Sequence, residues 1–359
     1  MARIDDYIAA GIYDPNWEIA PRRLRILEWL SDQGFTVDEL RAAHDEDGLS
    51  RLASDRYLRG PLLTHDDALK IAGVDDALWH QLWISAGLAP EASVSTSAAE
   101  SIGVFAGARS MFSDVAALHF LRVVGSSLSR IAEAANTLFL VDVEEPMVMQ
   151  QHEPLELAQE MLRAVKLLDQ LDKPMAQLLR LHLRDAVQRS RDSRAEATQS
   201  MSAPMAIGFV DLVGFTPLSR EADAQELMEL VLDFEGRAYD IVASHGGRVV
   251  KFIGDEVMFT TVDPVSSATI VLEMFGSIRA RAEVTPRGGL AYGSVLAHGG
   301  DYYGATVNLA SRVADVAVPW EILVTVEFAA RLGDTFAVEP AGRRMLKGFD
   351  DPIELHSLS

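Results

Sequence analysis

The 359-residue sequence contains no cysteine. That excludes disulfides, thiolate metal sites and a cysteine nucleophile, and it fits a reducing compartment. Positive charge is scarce as well. Lys and Arg number 32 against 53 Asp and Glu, a formal net charge of −21. A surface this acidic repels phosphate backbones and anionic lipid heads, so nucleic acid is not an expected partner. A nucleotide-binding protein of this charge must neutralise the phosphates locally, with metal ions and a few placed cations. Long apolar runs are also missing. No window reaches the roughly 18 uninterrupted apolar residues of a membrane span. The richest stretch, Val115 to Val143, is broken by Arg122, Arg130 and Glu133. The N-terminal MARIDDYIAAGIYDPNWE places acids where a signal peptide has a basic region and an apolar run. The expectation is a soluble cytoplasmic protein with no membrane span.

What is present is globular. Hydrophobic residues make up 48% and charged residues 24%, enough apolar material for two ordinary domains. The pattern changes near residue 200. Before it, segments such as LRILEWLSDQGF carry apolar residues at helical spacing, and Thr36 with Glu39 forms a capping box for the next helix. A polar stretch at 90–101 separates this helical group from a second, which contains PLELAQEMLRAVKLLDQL and PMAQLLRLHLRDAVQRS with Gly and Pro mostly between helices. Residues 193–204 are small and polar and read as a linker. After them, strand-like and helical runs alternate: AIGFVDLV, AQELMELVLDFEGRAYDIVASHG, the hairpin RVVKFIGDEVMFTTV, SSATIVLEMFGSIRARAE and RGGLAYGSVLAHGG. That β-α-β-β-α-β order predicts an α+β, ferredoxin-like βαββαβ domain with extra elements appended. The expected organisation is an all-helical domain at 1–192, a linker at 193–204 and the mixed domain at 205–359.

Three blocks in the second half carry chemistry. In GFVDLVGFTPLSR, a strand delivers Asp211 and Leu212 to a glycine-containing turn, and Phe215 and Thr216 open the following helix. A carboxylate there suits a hydrated metal bound to phosphates, and free N–H groups at a helix start suit phosphate oxygens. An N-cap is the ordinary use of such an aspartate. In VVKFIGDEVMF, Asp255 sits at a hairpin turn, where Gly-Asp also serves plain turn chemistry. Two such acids on neighbouring strands can share two Mg²⁺ ions in the arrangement used for in-line phosphoryl displacement. Lys251, four residues earlier, is expected on the same strand face as Asp255. In GGDYYGATVNLASRVADVA, Asn308 and Arg312 are four apart and share a helix face. Arg binds phosphate oxygens well; its plain alternative is a surface salt bridge with Asp315.

Together and in this order, the blocks resemble the catalytic domain of class III nucleotidyl cyclases over about residues 203–357. The resemblance implies that Asp211 and Asp255, with Leu212, bind two divalent cations, Mg²⁺ or Mn²⁺. It implies that Lys251 contacts the adenine ring and Asp301 accepts from its amino group. Asn308 would orient the ribose and Arg312 stabilise the pentavalent phosphate. Phe215 and Thr216 join the substrate-binding set, and Lys347 in RRMLKGFDDPIEL looks like the lysine that holds the outer phosphates. Adenine offers a donor at C6 and an acceptor at N1, which a Lys–Asp pair complements, whereas guanine reverses that polarity. The implied reaction is ATP to 3′,5′-cyclic AMP and pyrophosphate. In this family Asp211 and Asp255 would face the other four residues across two subunits, so a head-to-tail homodimer is implied. The alternatives are a catalytically weak nucleotide-sensing module and a guanylate cyclase.

The first half is similar to the helical regulatory domain of some soluble bacterial class III cyclases, in which that domain shapes activity and responds to pH or binds a lipid. Its apolar helices suit an intersubunit core or an acyl pocket. His182, on the last helix before the linker, is the candidate for a proton switch, with His119 and His152 behind it. Residues 63–88 resemble a helix-turn-helix, but DDALWHQLWISAG has no Lys or Arg for a DNA groove.

Overall fold

The computed structural model describes residues 4–89, 94–195, 202–215, 218, 223–278 and 284–359. The chain divides into two compact units, Met1–Arg180 and Leu181–Ser359.

The first unit is helical: α1 (Ile4–Ala9), α2 (Ala20–Asp32), α3 (Val37–Asp45), α4 (Leu52–Arg59), α5 (His65–Ala72), α6 (Asp76–Ser85), α7 (Thr96–Ala108), α8 (Asp114–Phe139), α9 (Glu145–Met149) and the start of α10 (Pro154–Ala195). Local sequence explains the breaks. Thr36 and Glu39 form the expected reciprocal capping box on α3. Gly73 ends α5 in the left-handed conformation and Asp75 caps α6. The α5–α6 turn does not present a reading helix: Trp79, Leu82 and Trp83 of α6 are buried, and the two indoles stack at 5.2 Å. Two apolar clusters hold this unit together. One centres on Tyr7, Leu27, Leu30 and Leu40, the other on Trp79, Trp83, Ile102 and Leu121.

The helix boundaries depart from expectation in two places. The polar stretch 90–101 is not all connector: residues 90–93 lie outside the described set, and from Thr96 it is α7, with Ser95 capping the Ala98 N–H. Small polar residues there serve as a cap and first turn. The segments on either side of Pro174 are one helix, α10, with the proline inside it. Pro174 removes one i→i−4 hydrogen bond, and the flanking Leu, Gln, Lys, Met and Arg residues are strong helix formers that carry the helix across. Within the expected linker, α10 continues to Ala195, residues 196–201 lie outside the described set, and β1 begins at Ser202.

The run Asp114–Met149 is long and apolar enough to cross a bilayer by length and composition, and 22% of its apolar window is buried. Arg122, Arg130 and Glu133 within it are exposed, and each would be costly in hydrocarbon.

In the second unit, β1 (Ser202–Val213), α11 (Ala224–Ser244), β2 (Arg248–Ile253), β3 (Glu256–Thr261), α12 (Pro264–Ile278) and β4 (Thr285–His298) follow the predicted βαββαβ order. The appended elements are β5 (Asp301–Tyr303), α13 (Ala305–Val316), β6 (Ile322–Thr325), α14 (Val326–Ala329), β7 (Val338–Arg344) and β8 (Ile353–Leu358). The strands line up as β2-β3-β1-β4-β6-β8-β7, with β5 hairpinned onto β4. β1 lies between β3 and β4, antiparallel to both. One face of the sheet packs on α11 and α12 through Phe234, Val257, Phe259, Val271 and Leu290. The other packs on α13 through Ile207, Met258, Ala291, Ala310 and Ala314. Gly289 makes that second packing possible: a Cβ there would fall 2.1 Å from the Ala314 nitrogen. Only a glycine on β4 lets the α13 backbone seat this closely.

Candidate active site

Register places the first cluster. Asp211 on β1 is opposite Glu256 on β3 and opposite Arg287 on β4. Directly opposed residues of antiparallel strands share a face, so two acids and one guanidinium meet at one level of the sheet. Asp255 joins them from the β2–β3 turn, which Gly254 closes at a φ of +65°. Two carboxylates opposed across strands repel, and Arg287 offsets that repulsion. Its Nε is 2.7 Å and its Nη2 2.5 Å from Asp211 Oδ2. The site is nevertheless short of positive charge. Burial, with the Asp211 charge added, holds the Asp255 carboxyl above the usual aspartate range. Burial, with the charges of Asp211 and Asp315, pushes the Glu256 carboxyl up to about 7. Carboxyls this reluctant to ionise mark a place where added cations are favoured.

The donor set is hard and incomplete. Asp211 and Asp255 offer carboxylate oxygens, and Leu212, whose side chain is buried in the core, offers only its carbonyl. Among the described residues no group of three or more His, Asp or Glu makes a full metal cage. This fits Mg²⁺ or Mn²⁺ held jointly with substrate phosphates, and does not fit a resident structural ion.

A second cluster forms from β2 and β5. Lys251 Nζ lies 2.5 Å from Asp301 Oδ2, and Asp301 Oδ1 accepts the Tyr302 N–H at 2.7 Å. Both side chains are partly exposed, so the pair faces an accessible surface. Arg248 steadies the hairpin by donating to the Gly300 carbonyl at 2.5 Å. Lys251 does not share a face with Asp255 by strand alternation, as the spacing predicted. The regular register from Lys251 runs only to Ile253, where β2 ends, and Asp255 stands in the turn beyond it.

Asn308 and Arg312 lie on α13, one turn apart, with Asn308 exposed. Arg312 Nη1 donates to Asp315 Oδ2 at 2.6 Å, the ion pair considered as its plain role. Lys347 is exposed in the β7–β8 connection, next to Leu346, which is buried with Val313 of α13 and with Ala317 just past its end. Phe215 packs partly buried against the α11–α12 core, and Thr216 lies outside the described residues. His182 is exposed on α10. Among the described residues, no hydrogen bond or ion pair joins Lys251 or Asp301 to Asp211 or Asp255. Sequence reasoning missed Arg287 and Glu256. The signal available was Glu256 directly after Asp255, and a lone arginine in the otherwise small and apolar run RGGLAYG.

The family model described as the adenylate and guanylate cyclase catalytic domain matches residues 198–359. An uncharacterized protein of Mycobacterium tuberculosis is 33% identical over 361 residues, covering 97% of this chain and 93% of its own. The pH-sensitive adenylate cyclase of Mycobacterium tuberculosis is 30% identical over 377 residues, covering 99% of this chain and 91% of its own. An adenylate cyclase of Streptomyces coelicolor is 36% identical over 227 residues, 62% of this chain and 58% of its own. The βαββαβ sheet domain coincides with the segment matched as a nucleotidyl cyclase domain. The chain belongs to the class III nucleotidyl cyclases, with a helical region ahead of its cyclase domain.

Proposed function

We propose that this chain converts ATP to 3′,5′-cyclic AMP and pyrophosphate, at two centres formed by two copies of the chain. The observation that carries the choice of base is the Lys251–Asp301 pair. Its ammonium donates to adenine N1, and its carboxylate accepts from the amino group at C6. Guanine offers the opposite polarity at both positions. The two clusters have no joining contact among the described residues, which supports the two-copy reading: Asp211 and Asp255 of one chain face Lys251, Asp301, Asn308 and Arg312 of the other.

In that arrangement Asp211, Asp255 and the Leu212 carbonyl hold two divalent cations. When bound, the cations neutralise the triphosphate and acidify the attacking hydroxyl. Asn308 orients the ribose so that its 3′-oxygen faces the α-phosphorus. Phe215 and Thr216 meet the phosphates at the helix start. As the new O–P bond forms and the bond to pyrophosphate breaks, Arg312 exchanges Asp315 for the extra charge on the α-phosphate. Lys347 holds the leaving pyrophosphate, and the 3′-proton passes to water or to substrate phosphate.

Residues 1–192 form a regulatory domain, 193–204 a linker and 205–359 the catalytic domain of a cytoplasmic enzyme. The exposed apolar side chains of α8 and α10 support an intersubunit role for the helical half. His182 is its proton-sensing candidate, with a lipid as the other regulator; an unchanged pH–activity profile in His182→Ala would remove that histidine.

The decisive assay supplies purified full-length protein with Mn²⁺ or Mg²⁺ and either ATP or GTP, and measures cyclic product. Asp211→Ala and Arg312→Ala should each be inactive. Mixed, they should regain about one quarter of wild-type activity, since half the dimers are mixed and each holds one intact centre. No cyclic AMP from wild type would defeat the enzyme reading, and no recovery on mixing would defeat the two-copy reading. Cyclic GMP formed in preference to cyclic AMP would favour a guanylate cyclase. Lys251→Glu with Asp301→Cys should weaken the preference for ATP.

A further inference from the structure

Two cations of β2 grip the β4–β5 hairpin, and a bulge is what lets them do so. Arg248 is opposite Thr260 of β3 and Lys251 is opposite Met258, with a register shift between Val249 and Lys251. Opposed residues of antiparallel strands share a face. Thr260 and Met258 are two apart on β3 and so share a face with each other, the one that packs on α13. On a regular strand Arg248 and Lys251, three apart, would point to opposite faces. The extra residue of the bulge turns both to the same side, and re-aiming a side chain is a common use of a bulge beside a site. Both then reach consecutive residues of the hairpin. Lys251 Nζ meets Asp301 Oδ2 at 2.5 Å, and Arg248 Nη2 donates to the Gly300 carbonyl at 2.5 Å. The Arg248 guanidinium also stands 5.7 Å over the Tyr302 ring, a cation–π contact. Tyr302 is the residue whose N–H donates to Asp301 Oδ1. Arg248 thus holds the residue before Asp301 and the residue after it.

The hairpin needs such a hold. Its turn is Gly299-Gly300, at φ of +60° and +82°, and glycines restrain a backbone less than any other residue. On the ATP reading, on which this inference rests, adenine must part Lys251 from Asp301, because each takes a different atom of the ring edge. Lys251 moves easily on its four-carbon stem. Asp301 has a short side chain, so its carboxylate goes where the hairpin backbone goes. We propose that Arg248 is a positioning residue for base selection. It keeps Asp301 in place while Lys251 swings to N1, so that the amino group at C6 meets an acceptor already aimed at it. Groups held in place beforehand return more of their interaction energy as binding and selectivity. With Arg248 removed, the Gly-Gly turn is released, Asp301 follows its ion pair with Lys251, and the amino group is rewarded less.

The test compares kcat/KM for ATP and for purine riboside 5′-triphosphate, with full-length protein in Mn²⁺. The second nucleotide is ATP without its amino group and keeps the N1 acceptor, so the ratio of the two values reports the contact with Asp301. A general loss of fold or of positive charge lowers both values and cancels in the ratio. Wild type should favour ATP by at least about tenfold, the usual value of one hydrogen bond to a charged acceptor. Arg248→Met should bring the ratio to within about threefold, chiefly by raising KM for ATP. If Arg248→Met does not fold by circular dichroism, Arg248→Gln, polar but shorter than arginine, takes its place with the same expectation. A wild-type ratio retained in the folded variant would overturn the positioning role. A ratio near one in wild type would instead overturn the reading of Asp301 as the acceptor for adenine, and no cyclic product from wild type would overturn the enzyme reading; this inference falls with either.

Discussion

In the sheet unit, large apolar side chains close a core, with Met228, Leu232 and Met345 among those left outside it. Ile207, Met258, Phe259 and Phe328 are fully buried, and charge gathers at strand ends and at the end of α13. In the helical unit, Tyr7, Leu27, Leu30 and Leu40 are buried just as completely, yet α8, α10 and the turns between helices leave much apolar surface outside. Met111 is 81% exposed and Leu179 69%. A monomer rarely keeps so much contiguous apolar surface in water. The sheet unit crowds acidic side chains at one level of its strands. The helical unit leaves apolar side chains outside along α8 and α10.

Substitutions can sharpen that contrast, and the largest effect belongs to chemistry. Arg312→Ala should lower kcat by about 10² to 10³, the usual cost of one donor to a developing negative charge. Its melting temperature should stay within a degree or two of wild type, because its one recorded partner is an exposed ion pair. Steady-state kinetics and a thermal melt on one preparation check both. A large fall in melting temperature with little change in kcat would make Arg312 structural.

The next effect tests the helical half. Leu40→Ala empties a fully buried position and should cost about 3 kcal/mol, within the usual range for such a cavity. Leu179→Ala, exposed on the single chain, should cost less than about 0.5 kcal/mol if that face meets only water. If the face is covered in the working assembly, Leu179→Ala should instead lower the urea midpoint, and more at the lower protein concentration. Urea unfolding at two concentrations distinguishes the cases.

Much of this was legible in the sequence, and the gaps have physical reasons. The βαββαβ order, the hairpin turn at Gly254-Asp255 and the shared helix face of Asn308 and Arg312 all depend on local periodicity or turn chemistry, and the structure has them. Arg287 and Glu256 were missed because they become partners of Asp211 only through the register of β1 with β4 and β3. Register is a long-range property that no single strand encodes. Lys251 and Asp255 do not share a strand face because β2 ends at Ile253, and alternation does not carry into a turn. Pro174 was read as a break because a proline weakens a helix locally, whereas α10 draws its stability from the residues on both sides.

A smaller effect should appear as a pH slope confined to the sheet unit. The Glu256 carboxyl titrates near 7 in the folded protein, against 4.5 when free. Between those values the folded state holds a proton that the unfolded chain releases, so unfolding becomes more favourable as pH rises. The stability tied to this proton is fully present below about 4.5 and is lost as pH passes through about 7. Without divalent cations, wild type should lose stability from pH 5 to 7 with a slope below about 1.4 kcal/mol per pH unit, the limit for one proton. Glu256→Gln, neutral throughout, should flatten that slope. A wild-type urea midpoint unchanged across this range, or a slope retained in Glu256→Gln, would place the proton elsewhere.

The smallest effect lies on the helical side. The Thr36 hydroxyl accepts the Glu39 N–H at 3.3 Å, and the Glu39 carboxylate returns to the Thr36 N–H at 2.8 Å. The Thr36 N–H and then the Thr36 hydroxyl, both donating to the Glu39 carboxylate, hold that carboxyl below its usual range. Thr36→Ala should cost about 1 kcal/mol, the ordinary value of an N-cap. It should act without pH dependence above the range where Glu39 protonates, because the lost group is a hydroxyl. Leu40, in the second turn of the same helix, is fully buried, so the cap and the core are linked through one short helix. The double variant Thr36→Ala with Leu40→Ala should therefore cost less than the sum of the two, because a helix already loosened at its start has less packing left to lose. Strict additivity in a double-mutant cycle would show that α3 is held by its buried face alone, with its cap contributing independently.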